Sequence, residues 1–225
     1  MQTAVENYKP ELFTSLPIVE NAHYAFREAN PDLSLFADLF RKHKVNEIAA
    51  LTLLHKHFDL EADEKLVEMW NEESKQIEVR PNRSKTNKVA YMWRVCNKDT
   101  VSSYHPIEFY DETTPVAIEA ISIAQRLLSN QAFLDEFAEL LTQTNTSNIF
   151  GLCLLHRDDM LMDVDYVHFE ETDKPNRVSY MSVHKKNDID TETSVQTHWR
   201  FGPAGGPDEI VVCSQCDLGI GTDAC

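Results

Sequence analysis

One segment of this chain is written twice. Residues 33–56 lie over residues 134–157 without a gap, at a constant offset that carries His55 onto His156. Leu33, Phe36, Ala37, Leu39, Ile48, Leu51, Leu53 and Leu54 recur as Leu134, Phe137, Ala138, Leu140, Ile149, Leu152, Leu154 and Leu155. Most of these matches are apolar and say that a similar piece of core is built twice. The polar match is the histidine that ends each apolar run.

The local patterns say what the repeated unit contains. Leu33, Phe36, Leu39 and Phe40 recur at helical spacing after the breaker Asn30-Pro31-Asp32, which predicts a short helix. IAALTLLHKHF (48–58) is almost continuously apolar up to His55, the pattern of a strand buried on both faces. Residues 60–73 read as strand or helix. Their counterpart MDVDYVHFEE (162–171) alternates and favours strand. The turn signals Arg80-Pro81-Asn82-Arg83 and Lys174-Pro175-Asn176-Arg177 each precede a similar strand, VAYMWRV (89–95) and VSYMSVH (178–184). A further strand-like run follows in each half, around His105 and around His198. Thr114-Pro115 opens an apolar helix to about Leu128, and a second helix runs from Phe133 to Leu141.

Together these predict an α+β fold with an internally duplicated helix–strand–strand–strand unit. Its mainly antiparallel sheets would pack about a pseudo-twofold axis with helices outside. The expected boundaries are an irregular N-terminal arm (1–32), repeat one (33–113), a linking helix with repeat two (114–201), and a Pro/Gly loop with a cysteine-containing tail (202–225), all in one compact domain.

Charge narrows the partners. Thirty-seven acidic residues against 21 basic ones give a net charge of −16. That disfavours nucleic acid, whose phosphates would be repelled, and anionic membrane surfaces. The opening MQTAVENYKPELFTSLP has neither a basic nor an apolar signal region. No apolar run approaches the ~18 residues of a membrane span, so a cytoplasmic protein is expected. Five cysteines without a signal region do not suggest a disulfide framework. Cys96 and Cys153 lie in apolar strands and read as buried thiols.

Candidate chemistry gathers at the ends of the matched strands, His55-Lys56-His57 and His156-Arg157-Asp158. Side chains two apart on a strand share a face. If the strands meet, His55, His57, His156 and Asp158 converge on a metal such as Fe, Zn, Mn or Cu. Without metal, His55 and His156 would serve as general acid and base. The structural alternative is that both histidines merely cap a sheet. His105 and His198 are candidates to complete the same site. Cys213-Ser214-Gln215-Cys216, with Cys225 further on, has the spacing of half a zinc site. Asp163, Asp165, Glu170 and Glu171 could bind a hard cation, although a solvated strand face explains them better. Arg94 and Arg200 could fork onto a substrate carboxylate, and Trp93 and Trp199 could line its pocket. No phosphate-binding glycine loop and no nucleophile elbow is present.

The expectation is therefore a small-molecule enzyme, metal-assisted or relying on histidine acid–base chemistry. It would act on an organic metabolite in a cup between the repeats. The alternative is a non-catalytic module that binds a small molecule or a protein, with structural histidines.

Overall fold

The computed structural model describes residues 2–74, 76–83, 88–98, 101–111, 115–155, 165–202 and 207–214. The strands are β1 (Gln2–Val5), β2 (Ala49–Leu53), β3 (Lys65–Asn71), β4 (Gln76–Asn82), β5 (Lys88–Lys98) and β6 (Val101–Asp111). Beyond them come β7 (Phe150–Leu154), β8 (Tyr166–Asp173), β9 (Val178–Lys185), β10 (Ser194–Phe201) and β11 (Pro207–Ser214). The helices are α1 (Pro10–Thr14), α2 (Val19–Ala29), α3 (Leu33–Lys42), α4 (Pro115–Leu128) and α5 (Gln131–Gln143).

All of these strands join one sheet, in the order β1-β6-β3-β4-β9-β8-β11-β10-β2-β7-β5, and β5 pairs back onto β6. That last pairing, from Lys88↔Asp111 to Lys98↔Val101, closes ten strands into a barrel, with β1 added in parallel outside β6. The expected duplicated α+β fold, with two sheets packed about a pseudo-twofold axis, is overturned by this closure. Two seams decide it. β2 pairs with β7 from Ala49↔Leu154 to Leu53↔Phe150, and β4 pairs with β9 around Glu78↔Tyr180. Backbone groups that two separate sheets would have left as exposed edges are thereby paired. The matched segments are α3–β2 and α5–β7; their strands are barrel neighbours and their helices pack together.

The helices cover the outer face of one side of the barrel. Asp32 caps α3 by accepting from Ser34 N at 3.0 Å, and Asn130 caps α5 by accepting from Phe133 N at 3.2 Å. Phe36 and Phe40 of α3 meet Phe133 and Phe137 of α5 edge-to-face or nearly so. This aromatic layer continues onto Phe150 and Phe201 of the barrel. It accounts for the continuous apolar runs of β2 and β7: one face of each packs under helices and the other faces the barrel interior.

One local expectation also changes. The N-terminal arm is not irregular, since it forms β1, α1 and α2. Pro106 of β6 lies between the residues that pair with β1 (101–104) and those that pair with β3 (108–110), so its missing N–H takes no bond from either ladder. No helix among the described residues is long and apolar enough to cross a membrane.

Candidate metal centre

A ten-stranded barrel has an interior wider than small eight-stranded barrels, whose side chains just fill it. Here the interior-facing positions include polar groups. On β8 the burial alternates so that Glu170 and Thr172 are buried while Glu171 between them is exposed. β8 runs parallel to β11, with Glu170 in register with Cys213. His55 and His57 follow directly on β2. Lys56 N donates to Pro17 O (2.9 Å), tying this segment to the N-terminal arm.

The result is a compact group. One donor atom from each of His55, His57, Glu170 and Cys213 lies within 4.8 Å of all the others. The two imidazole Nε2 atoms are 3.2 Å apart. His57 Nε2 is 3.4 Å from Glu170 Oε1, and Cys213 Sγ is 3.6 Å from His55 Nε2. Cys213 also donates to Glu170 Oε2 at 2.9 Å. This group could hold a metal ion.

The tautomer of His55 is set from outside the cluster. Its Nδ1 lies 2.8 Å from Leu53 O, so Nδ1 carries the proton and Nε2 presents a lone pair to the other donors. Burial, with the charge of His57 adding to it, pushes the His55 pKa down to about 4. Burial also works against an imidazolium at His57, but the Glu170 carboxylate outweighs it, and the His57 pKa is raised. The converse holds at Glu170, where desolvation is outweighed by His57 and the carboxyl stays well below the usual range. Burial and the neighbouring Glu170 hold the Cys213 thiol well above its ordinary pKa.

A cavity of about 20 Å³ touches three of these four residues, His55, His57 and Glu170, and is otherwise lined by Phe13, Met92, Glu108, His198 and neighbours. That is room for about one water molecule. Phe13 of α1, 1% exposed, closes the space from the arm side. The arm is fastened by Lys56 Nζ to Thr14 O, by Arg94 Nη1 to Leu12 O (3.2 Å) and Ser15 Oγ (2.8 Å), and by Tyr8 OH to Glu64 O (2.8 Å).

The sequence-derived candidates divide. His55 and His57 stand in the group. His156 and Asp158, read as their partners, lie outside the described residues, as do Asp163, Cys216 and Cys225. His198 lines the cavity and is held by Thr52 Oγ1 (3.2 Å) and Thr197 Oγ1 (3.1 Å). His105 is elsewhere, against Ser103 Oγ at 2.9 Å. Trp93 and Trp199 are core residues; Trp199 packs on Phe26 and Phe150 beneath the helices. Neither tryptophan lines the cavity, nor does Arg94 or Arg200. Asp165 and Glu171 are exposed, whereas Glu170, grouped with them as a solvated face, is buried in the cluster.

Glu170 and Cys213, each a ligand candidate in the sequence but with other partners, are brought by the fold to His55 and His57. The signal for Glu170 is the run His168-x-Glu170-x-Thr172, three polar residues on one face of a strand, all buried. For Cys213 the signal is the Cys213-x-x-Cys216 spacing, but only the β8–β11 register brings it to Glu170. Compared with known proteins, the chain matches no family model, no curated protein and no solved structure.

Proposed function

We propose that this protein is a metal-dependent enzyme for a small molecule, with a divalent transition metal held inside the barrel by His55, His57, Glu170 and Cys213. The observation that carries the reading is the set of donor separations. Four ligands at zinc-like bond lengths on a tetrahedron stand about 3.3 Å (N to N), about 3.4 Å (N to O) and about 3.6 Å (N to S) apart. The corresponding separations here are 3.2, 3.4 and 3.6 Å, while the thiol–carboxylate contact, Cys213 Sγ to Glu170 Oε2 at 2.9 Å, is shorter than the about 3.6 Å between two metal-bound atoms and would lengthen on binding. Two imidazoles, one carboxylate and one thiolate suit zinc or copper better than the hard cations magnesium and calcium. Two of these donors are the strand-end histidines, and the thiol would be deprotonated by the metal.

A second reading is favoured by the number of donors and the lack of room. A site with four protein ligands is closed, and about 20 Å³ leaves little space for a substrate. In that case the barrel is a binding module with an enclosed metal. In either case we take the partner to be a small molecule rather than nucleic acid or an anionic membrane, given the net charge of −16. We place the protein in the cytoplasm, because the centre needs Cys213 as a free thiol, and Cys96, Cys153 and Cys213 are all free.

The test is elemental analysis of the full chain purified without chelators, beside a His55→Ala/His57→Ala variant and Cys213→Ser. Near-stoichiometric metal in the wild type and its loss in the double variant are expected. Cobalt substitution should give a thiolate-to-cobalt charge-transfer band that Cys213→Ser lacks. If azide shifts the cobalt spectrum, a coordination position is open and the enzyme reading stands. An unmoved spectrum selects the closed centre. A wild type that neither retains nor takes up any of zinc, copper, iron, manganese or cobalt removes both.

A further inference from the structure

A second site lies on the outer surface, where β5 meets the loop between α5 and β7. A groove of about 350 Å³ is lined there by Arg94, Asn97, Thr142, Asn145, Ser147 and Asn148, with Val95 and Cys96 completing it. No carboxylate lines it, although the chain has 37 acidic residues. Among the described residues Arg94 forms no ion pair. Its guanidinium is held by neutral acceptors alone, namely Leu12 O, Ser15 Oγ and, from Nη2, Asn148 Oδ1 at 3.1 Å. An arginine that keeps its charge unpaired in so acidic a chain can anchor an oxyanion through the donors left over, since guanidinium suits carboxylate and phosphate.

The rest of the wall is fixed and neutral. Asn97 Nδ2 donates to Thr142 Oγ1 (2.6 Å), Ser147 Oγ (3.3 Å) and Ala138 O (3.3 Å). The C-terminal end of α5 points here, and its free carbonyls would repel an anion. Three of the last four are occupied: Leu140 O accepts from Thr144, Leu141 O from Thr146 N, and Thr142 O from Asn145 N.

We propose that this groove binds a small organic molecule or ion through its carboxylate or phosphate, with Arg94 as the charged anchor and the Asn, Ser and Thr side chains as neutral partners. The volume is within the range of small-molecule pockets and exceeds what a bare oxyanion needs. The site is separate from the metal centre and does not depend on it.

The test is calorimetric titration of the full chain with inorganic phosphate and, separately, with succinate, at constant ionic strength in chloride. One molecule bound per chain is expected for at least one probe, and the probe that binds assigns the class. Asn148→Asp keeps the shape and the hydrogen bond to Arg94 but cancels its charge. It should weaken binding at least tenfold while leaving the fold intact. Asn148→Ala removes the same side chain without cancelling the charge and should retain most of the affinity. The proposal is overturned if neither probe binds above chloride, or if Asn148→Asp binds as the wild type does. Equal loss in both Asn148 variants also overturns it. Binding lost in His55→Ala/His57→Ala would place the anion on the metal and overturn it as well.

Discussion

Phe13→Ala tests whether the arm is the wall of the metal compartment. Phe13 is 1% exposed and lines the cavity beside His55, His57 and Glu170. Truncating a buried phenylalanine costs about 3–5 kcal/mol, part of it for the void left behind. In a domain of this size each kcal/mol moves the midpoint by roughly 2–4 °C, so the melting temperature should fall by about 6–20 °C. The present space of about 20 Å³ would grow toward the order of 100–150 Å³ at which an apolar void accepts a benzene-sized guest. Chelators should then strip metal from the variant much faster than from the wild type, while the donors themselves are untouched and equilibrium loading persists at high metal. The measurements are calorimetric melting of the metal-free protein and the rate of metal transfer to a chelator, with Phe13→Leu as the intermediate case. Melting and transfer rates within error of the wild type would refute the reasoning, because α1 would then not close the site.

Two further outcomes follow from the same structure. Glu64, 5% exposed, accepts from Arg177 and is close to Arg83. Desolvation raises its pKa, but the Arg177 hydrogen bonds outweigh it and the net shift is downward. A depressed folded pKa means that the stabilisation is complete above the unfolded value of about 4.3 and is lost as pH falls through the lower folded value. Because Arg177 is about one-third exposed, Glu64→Gln should cost only about 1–2 kcal/mol near neutrality. It should also flatten the acid limb of a melting-temperature profile against pH, and an unchanged profile would count against the pair. Gly151→Ala would place a Cβ 2.6 Å from Trp93 O and 2.7 Å from a Leu54 methyl group, in the seam where β7 lies between β2 and β5. Backbone cannot give way there as a flexible side chain would, so a loss of about 1–3 kcal/mol in denaturant unfolding is expected.

What could be read along the chain was local. The helix after Asn30-Pro31-Asp32, the separate strands β5 and β9, and the turn before Arg177 follow from short patterns, and they form where those patterns stand. His55 and His57 were legible as a pair because a spacing of two on extended backbone puts side chains on one face. Closure was not legible. Nothing local in VAYMWRV says that its strand will pair with both β6 and β7, so two sheets and one barrel predict the same strands. The same gap hid which candidates come together in the centre. Glu170 and Cys213 are 43 residues apart and become neighbours only through the parallel register of β8 and β11. A slip of one residue in that register would turn Cys213 to the opposite face. The donors are therefore assembled by the closed barrel, not by a motif. That is why a sequence with no contiguous metal signature can still place two imidazoles, a carboxylate and a thiol around one point.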